Sequence, residues 1–298
     1  MTSACATLPR RIIRRQMTRA EMVRLVKPDV LNYGFQAGFI KDALGRQGLK
    51  WSLSDCASNC AISPGCLQCP ALMLALKGGC KRAQFLTCNL LQPLRWRTPR
   101  IVFVCPQGDL FHEDISDASI AQVFAVMDTC PDHLFLVLTK RAKRMGKLFS
   151  SSKFVQSILE EGRKIFGEGY YQDAEWGLNL LVGVSVEDQP RMERANVLLD
   201  LPGLMTGVVF VAPMLSALQF RSLVLPNVGW VVCNQERGGT YSKPRPCKRE
   251  WKRDLQLQCW DADVPFFLQD RLSPELVAEL GDGPLREYPR HPFYGAVA

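Results

Sequence analysis

The sequence predicts an α/β fold, arranged as a full or partial (β/α) barrel. Short runs of consecutive apolar residues, such as Ile101–Cys105, are typical of buried parallel strands. Amphipathic segments separate these runs, and repeated βα units imply a parallel sheet with right-handed crossovers. Seven such runs are present, which favours a barrel over an open sheet. The chain of 298 residues is long enough for that architecture.

The predicted elements fall into three regions. Residues 1–48 form a basic N-terminal extension with a short helix over Thr18–Val26, residues 49–272 form the barrel, and residues 273–298 form a C-terminal tail. The predicted strands are Leu49–Leu53, Ile101–Cys105, Leu134–Leu138, Leu180–Val186, Val208–Val211, Val228–Cys233 and Val264–Leu268. The predicted helices are Pro70–Lys77, Ser116–Thr129, one from Lys140, Lys153–Phe166, Pro190–Leu199 and Lys248–Cys259.

Positive charge is concentrated near the N-terminus. Residues 1–100 carry 16 Lys and Arg against 4 Asp and Glu, a net charge of +12, whereas the whole chain carries +8. A basic region of this kind indicates an anionic partner such as nucleic acid, or else a solvated arm without a specific partner. The sequence contains no membrane-spanning apolar run and no secretory signal. We therefore expect a cytoplasmic protein without a membrane partner.

Cysteines are unusually dense in one loop. Of the twelve cysteines, six lie between Cys56 and Cys88, and Cys60, Cys66 and Cys69 follow the spacing C-x5-C-x2-C. Three thiolates indicate a metal or cluster site with an open coordination position, which is typical of a reactive centre. Structural zinc with Cys56 as fourth ligand, disulfides and inert buried thiols are the alternatives. The spacing does not choose between zinc and iron–sulfur.

Polar residues cluster directly after the predicted strands. Because active sites of α/β barrels are built from the loops at the carboxyl ends of the strands, these residues are candidates for one site. The cysteine loop also follows a predicted strand and is expected on the same face. The candidates include Gln107, Asp109, His112, Glu113, Asp114, Thr139, Lys140, Arg141, Ser185, Glu187, Asp188, Asn234, Gln235, Glu236, Arg237, Gln269 and Asp270.

Each candidate also has a purely structural interpretation. Asp109 is suited to cap a turn, and His112 to be a satisfied structural histidine. Lys140 and Arg141 are suited to a solvated helix start, although cations there oppose the helix dipole unless an anion is near. Glu187 and Asp188 are suited to cap the helix that follows them. For Glu236, the alternative is a turn held against Arg237 or Arg245.

Several motifs in order resemble a phage and bacterial protein family of unknown exact function that is described as radical-SAM-like. The resemblance runs from Trp51 to Asp270. Its pieces are SPGCLQC at 63–69, GDLFHED at 108–114, LTKR at 138–141, VGVSVEDQ at 182–189, WVV followed by Glu236 and Gly238, RP at 245–246 and VPFF at 264–267.

The resemblance implies a radical-SAM-type partial barrel. Cys60, Cys66 and Cys69 would hold a [4Fe–4S] cluster, with one iron left for S-adenosylmethionine. The bound group would supply a 5′-deoxyadenosyl radical that abstracts hydrogen from an unknown substrate, such as a nucleic acid or nucleotide. Under this interpretation the catalytic residues are Asp109, His112, Lys140, Arg141 and Glu187, and the cofactor-binding residues are Ser185, Asn234, Glu236 and Arg245.

The chain departs from the pattern of that family at several positions. The usual spacing places Asn59 at the first cysteine position, and Pro70 replaces an aromatic residue after the last cysteine. Other family positions have become Asn234-Gln235, Ala212 and Gln269. The alternative function is a non-catalytic zinc protein that binds nucleic acid, with Cys56, Cys60, Cys66 and Cys69 as ligands.

Overall fold

The computed structural model of this protein describes residues 49–53, 82–98, 101–106, 108–170, 179–202, 207–220, 228–236, 243–270, 272–281 and 283–287. Three groups of predicted features lie outside these residues: the basic extension with its helix Thr18–Val26, the helix Pro70–Lys77, and the cysteines Cys56, Cys60, Cys66 and Cys69. Gln107 and Arg237 also lie outside them. No helix in the described ranges is both long and apolar enough to cross a membrane.

A seven-stranded parallel sheet forms the centre of the α/β fold. Each strand pairs with the next one along the chain, so the spatial order is the sequence order. All seven predicted strands are confirmed, with ends that differ by one or two residues. The strands are β1 (Leu49–Trp51), β2 (Ile101–Val104), β3 (Leu134–Thr139), β4 (Leu180–Ser185), β5 (Gly207–Val211), β6 (Trp230–Cys233) and β7 (Phe266–Leu268).

Helices follow most of the strands at the predicted places. Ser116 is the N-cap of α1, where its hydroxyl accepts a hydrogen bond from the backbone of Ser119. The segment predicted as one helix over Pro190–Leu199 is a 3-10 turn, Gln189–Met192, followed by α4. The helices are α1 (Asp117–Asp128), α2 (Ala142–Phe149), α3 (Ser152–Phe166), α4 (Glu193–Leu199), α5 (Arg249–Asp261) and α6 (Pro274–Leu280).

Helix α6 lies in the region that the sequence assigned to a C-terminal tail. It packs against α5 and buries Leu276 and Leu280. Pro274 occupies its first turn and the Ser273 hydroxyl accepts from the backbone N–H of Leu276, so the helix has a regular capped start. The folded part of the protein therefore continues past residue 272.

The two faces of the sheet bury different partners. Because side chains alternate along a strand, Val102 and Val104 point to one face while Ile101 and Phe103 point to the other. The first face packs against residues of all six helices in the larger apolar cluster. The second face is covered by a smaller cluster of strand residues only, including Phe210, Trp230 and Phe267.

The strand register brings the carboxyl ends of neighbouring strands together. Thr139 of β3 pairs with Val184 of β4, and Cys233 of β6 pairs with Leu268 of β7. The loops that carry the candidate polar residues therefore leave the sheet at one common edge, which we call the carboxyl edge. This placement is the part of the fold that matters most for function.

Candidate functional site

Asp109, in the loop after β2, joins that loop to the end of β3. Its carboxylate accepts hydrogen bonds from the Thr139 hydroxyl at 2.7 Å and from the backbone N–H of Lys140 at 3.1 Å. It also accepts from Arg141 Nη1 at 3.2 Å and from the backbone N–H of Phe111 at 2.9 Å. Asp109 is buried. The bond to Phe111 is a turn cap, and the other bonds hold the two loops together.

Arg141 bridges two carboxylates at the carboxyl edge. Besides Asp109, its guanidinium contacts Glu113, with 2.7 Å between Nε and Oε2. Burial alone would raise the pKa of Glu113, but the hydrogen bond and charge of Arg141 outweigh it, so the pKa lies below its usual value. The side chain of Arg141 is only 4% exposed. It lies between Asp109 and Glu113, the two carboxylates of the loop after β2.

His112 is buried with one ring nitrogen unsatisfied. Nδ1 accepts a hydrogen bond from the backbone N–H of Asp114 at 3.1 Å, so the proton of the neutral ring lies on Nε2. Within the described part of the chain, Nε2 has no hydrogen-bond partner. Burial, followed by the charge of Arg141, lowers the pKa of His112, which is therefore neutral at pH 7. The site thus contains a neutral imidazole with a donor to offer.

Arg144 fixes the backbone around His112. It donates to the carbonyl of His112 and, at 2.6 Å, to the carbonyl of Ile115. A further bond of 2.7 Å links it to Asp117 at the start of α1. The position of the imidazole is therefore set by a helix α2 side chain as well as by its own loop.

Glu187, after β4, is a fully buried carboxylate that binds two cations. Its Oε1 lies 2.7 Å from Lys140 Nζ, and its Oε2 lies 3.0 Å from Arg194 Nη1. The same Arg194 atom donates to the carbonyl oxygen of Ser185 at 2.7 Å. Asp188 makes no side-chain cap bond to the turn that follows it. Glu187 therefore connects the ends of β3 and β4 to helix α4.

Glu236, after β6, holds Arg245. Its Oε2 accepts from the backbone N–H and from Nε of Arg245, at 2.9 and 2.8 Å, while Oε1 accepts from Nη2. Burial alone would raise the pKa of Glu236, but the hydrogen bonds and charge of Arg245 lower it below its usual value. This is the structural alternative that the sequence left open, in which Glu236 holds a turn against Arg245 and does not contact a ligand.

Asn234 lies beside Glu236 at the end of β6. Its Nδ2 donates to Gln269 Oε1 at 3.3 Å, which links the ends of β6 and β7. Its side chain is buried, and Oδ1 has no partner among the described residues. Ser185 contributes its backbone carbonyl to Arg194, as described above. The structure thus brings the candidate residues of β2, β3, β4, β6 and β7 to one edge.

Two buried cations at this edge, Arg194 and Lys252, were not among the candidates. Lys252 donates to Asp270 Oδ2 and, at 3.0 Å, to Gln235 Oε1. The position of Lys252 in α5 is the sequence signal that indicates its burial. Lys252 stands three and seven residues before the buried Leu255 and Cys259, which places a cation on the apolar face of the helix.

The residues that flank the cysteine segment also meet at the carboxyl edge. The carbonyl of Leu53, just after β1, accepts from the backbone N–H of Leu86 at 2.7 Å. The backbone N–H of Ala83 donates to Asp114 Oδ2 at 2.9 Å, in the loop after β2. In the described ranges, no three His, Cys, Asp or Glu residues are arranged to hold a metal ion.

Comparison with known proteins gives one match. A protein-family model described as "Protein of unknown function (DUF5131)" matches residues 53–272, which is more than two thirds of the chain. No curated protein and no solved structure matches.

Proposed function

The chain belongs to the DUF5131 family of proteins of unknown function, and we propose that it is a radical-SAM-like iron–sulfur protein. Cys60, Cys66 and Cys69 would hold a [4Fe–4S] cluster that binds S-adenosylmethionine. When bound, this group would supply a 5′-deoxyadenosyl radical for hydrogen abstraction. The substrate would be a nucleic acid or nucleotide, in keeping with the +12 charge of residues 1–100. The proposal places the protein in the reducing cytoplasm, where cysteines outside the cluster remain thiols.

A partial (β/α) barrel is the proposed form of the sheet. The strands follow sequence order, and right-handed crossovers then put all connecting helices on one side. The other side has no helix among the described residues and is filled by Phe210, Trp230, Phe267 and other strand residues. Curling the sheet around these side chains is the way to remove them from water.

The observation that carries the proposal is the anchoring of the cysteine segment. Its flanks at Leu53 and Ala83 are tied to the carboxyl edge, beside the loop that contains His112 and Asp114. In the proposal, the thiols of the segment between these two flanks would lie at the edge where the candidate polar residues are. Three thiols within ten residues are a donor set that suits an iron–sulfur cluster.

The residues of the chain would position the ligands and control the protons there. Asp109 and Arg141 hold the loop after β2 against the end of β3. The neutral ring of His112 offers Nε2–H as a hydrogen-bond donor. Lys140 supplies positive charge at the end of β3, and Arg245 supplies it beside Glu236. Glu236 would orient Arg245 instead of contacting S-adenosylmethionine itself.

The test is the metal content of the full-length protein purified without oxygen. We expect a brown protein with iron and sulfide in equal amounts, as in a [4Fe–4S] cluster, and a change in its spectrum when S-adenosylmethionine is added. Cys60→Ala, Cys66→Ala and Cys69→Ala should each remove most of the iron. Cys56→Ala and Cys88→Ala are matched controls that should keep it.

A colourless protein with one zinc ion per chain would refute the proposal in favour of a structural site. In that case Cys56→Ala should lose zinc as fully as the other three variants, because a closed site needs four ligands. An iron–sulfur protein whose spectrum ignores S-adenosylmethionine would retain the cluster but refute the radical chemistry.

A further inference from the structure

Two carboxamides meet where β6 and β7 end. Cys233 pairs with Leu268 in the sheet, so the residues that follow them, Asn234 and Gln269, are neighbours across the two strands. Asn234 Nδ2 donates to Gln269 Oε1 at 3.3 Å. We call these two side chains the amide pair. Their mutual bond uses the nitrogen of one carboxamide and the oxygen of the other, which leaves Asn234 Oδ1 as an acceptor and Gln269 Nε2 as a donor.

The remaining acceptor of the amide pair is buried without a hydrogen bond. Asn234 is 5% exposed, and its Oδ1 has no partner among the described residues. Gln269 is half-buried, and the bond to Asn234 is the one that its side chain makes in those ranges. Buried polar atoms without a bond are rare in folded proteins, because burial removes water and the protein then supplies a replacement. A bound molecule that donates to Oδ1 explains this atom.

The backbone holds the amide pair in place. The N–H of Asn234 donates to the carbonyl of Val211 at 3.0 Å, and the Asn234 carbonyl accepts from the N–H of Met214 at 2.9 Å. The N–H of Gln269 donates to the carbonyl of Cys233 at 2.9 Å. Both side chains therefore extend from fixed positions. Groups that are fixed before binding lose little conformational freedom when a ligand arrives.

The next residue on each strand has a different role. Gln235 Oε1 accepts from Lys252 at 3.0 Å, and Asp270 accepts from Lys252 and from the backbone N–H of Gln235. These bonds fasten the two loops to each other and to α5. The open acceptor on Asn234 takes no part in that fastening. The amide pair thus lies beside a rigid part of the carboxyl edge but keeps bonding capacity of its own.

We propose that the amide pair binds the edge of an adenine base. Asn and Gln carboxamides are the side chains that read adenine, whose amino group lies beside the ring nitrogen N7. The amino group would donate to Asn234 Oδ1, and N7 would accept from Gln269 Nε2. The +12 charge of residues 1–100 favours a nucleotide or nucleic acid over a peptide as the source of the bound group. The inference deepens the proposed function and rests on its nucleotide chemistry, but it does not depend on the cluster.

The test is calorimetric titration of the full-length protein, purified without oxygen, with adenosine and with purine riboside. Purine riboside lacks the amino group, so wild type should bind it roughly tenfold to a hundredfold more weakly than adenosine. Asn234→Leu and Gln269→Leu should each weaken adenosine binding, and Asn234→Leu should bind the two nucleosides equally. Asn196→Leu removes an exposed carboxamide from α4 and should change neither affinity.

The comparison of the two nucleosides needs only wild type, so it stands even if Asn234→Leu fails to fold. Equal binding of both nucleosides, or no binding of adenosine, would overturn the proposal and assign an ordered water to Asn234 Oδ1. N-acetylglycinamide is the peptide probe, and binding as tight as that of adenosine would overturn the assignment to a base.

Saturation with S-adenosylmethionine distinguishes the two sources of an adenine. Loss of adenosine binding would assign the amide pair to the adenine of S-adenosylmethionine, and unchanged binding would assign it to a base of the substrate. Iron and sulfide are measured on the same samples. Selective adenosine binding by a protein without iron would refute only the cluster, and an iron–sulfur protein that does not bind adenosine would refute only the amide-pair assignment.

Discussion

The ionic pair that joins the loops after β3 and β4 differs in design from the pair that joins helix α5 to the loop after β7, although both lie at the carboxyl edge. In the first, Glu187 is buried and Lys140 is 21% exposed. In the second, the side chains of Lys252 and Asp270 are both 3% exposed. The cation of the first pair is partly exposed to solvent, whereas both charges of the second pair are buried. The exposure of the cation therefore separates a solvent-facing pair from a bracing pair, in which both charges are buried.

The bracing pair is completed by Gln235. Lys252 donates to the side chain of Gln235 as well as to Asp270, and Asp270 accepts from the backbone N–H of Gln235 at 3.1 Å. These bonds tie the loops after β6 and β7 to helix α5. A buried pair of this kind adds little over an apolar replacement, but removal of one partner leaves an uncompensated charge. The main role of the Lys252–Asp270 pair is therefore to fix the positions of these two loops relative to helix α5.

The largest expected effect is that of Lys252→Met. The substitution leaves the buried Asp270 without its cation and should lower the free energy of unfolding by about 3–5 kcal/mol. Denaturant unfolding followed by circular dichroism measures this change.

The matched control is the double variant Lys252→Met/Asp270→Leu, which should recover most of the lost stability because no unpaired charge remains. A double variant less stable than the single one would show that the pair contributes more than charge compensation. The bracing interpretation would then be wrong.

A smaller effect is expected from acid, because Glu236 has a partner that is partly exposed. The pKa of Glu236 is lowered from 4.5, so its ionised form stabilises the folded protein above the unfolded-state pKa, and this contribution is lost as the pH falls through the folded-state value. The stability difference between wild type and Glu236→Gln should be constant from pH 7 to about pH 5. Unfolding curves below pH 4.5 should show it shrinking. A difference that grows in acid would contradict this assignment.

The smallest expected effect on stability is that of Lys140→Met, although the substitution also removes a cation that contacts a buried carboxylate. Glu187 keeps Arg194 at 3.0 Å, and the Lys140 side chain is partly solvated. We expect a loss of about 1 kcal/mol, smaller than that of Lys252→Met because the buried Glu187 keeps the charge of Arg194. Denaturant unfolding of Lys140→Met and Lys252→Met side by side tests the comparison. Equal losses would show that exposure does not separate the two pairs.

The strands were predictable because their signal is local. Runs such as Ile101–Cys105 and Leu134–Leu138 are apolar at every position, and this is what a strand buried on both faces requires. The same logic located the polar residues, because in a parallel sheet every strand delivers its following loop to the same edge. Asp109, Lys140, Glu187 and Glu236 were therefore predicted to lie at one edge of the sheet.

Apolar runs and loop positions did not predict which cation pairs with which carboxylate. The sequence allowed Glu236 to face a ligand or to hold an arginine, and the structure pairs it with Arg245. Arg194 and Lys252 were missed because each was assigned to a helix and not tested as a partner for a buried acid. Helix α6 was missed because seven residues with two buried leucines carry little periodic signal.

The sequence by itself determined the α/β fold, the seven strands and the edge at which the polar residues gather, because hydrophobic runs and helical periodicity are local properties. Only the tertiary structure decided which cation meets which carboxylate and which of them remains exposed. Those pairings join residues 7 to 47 positions apart, from Arg194 with Glu187 to Lys140 with Glu187. Their geometry depends on how strands and helices pack, and no short window of sequence contains that information.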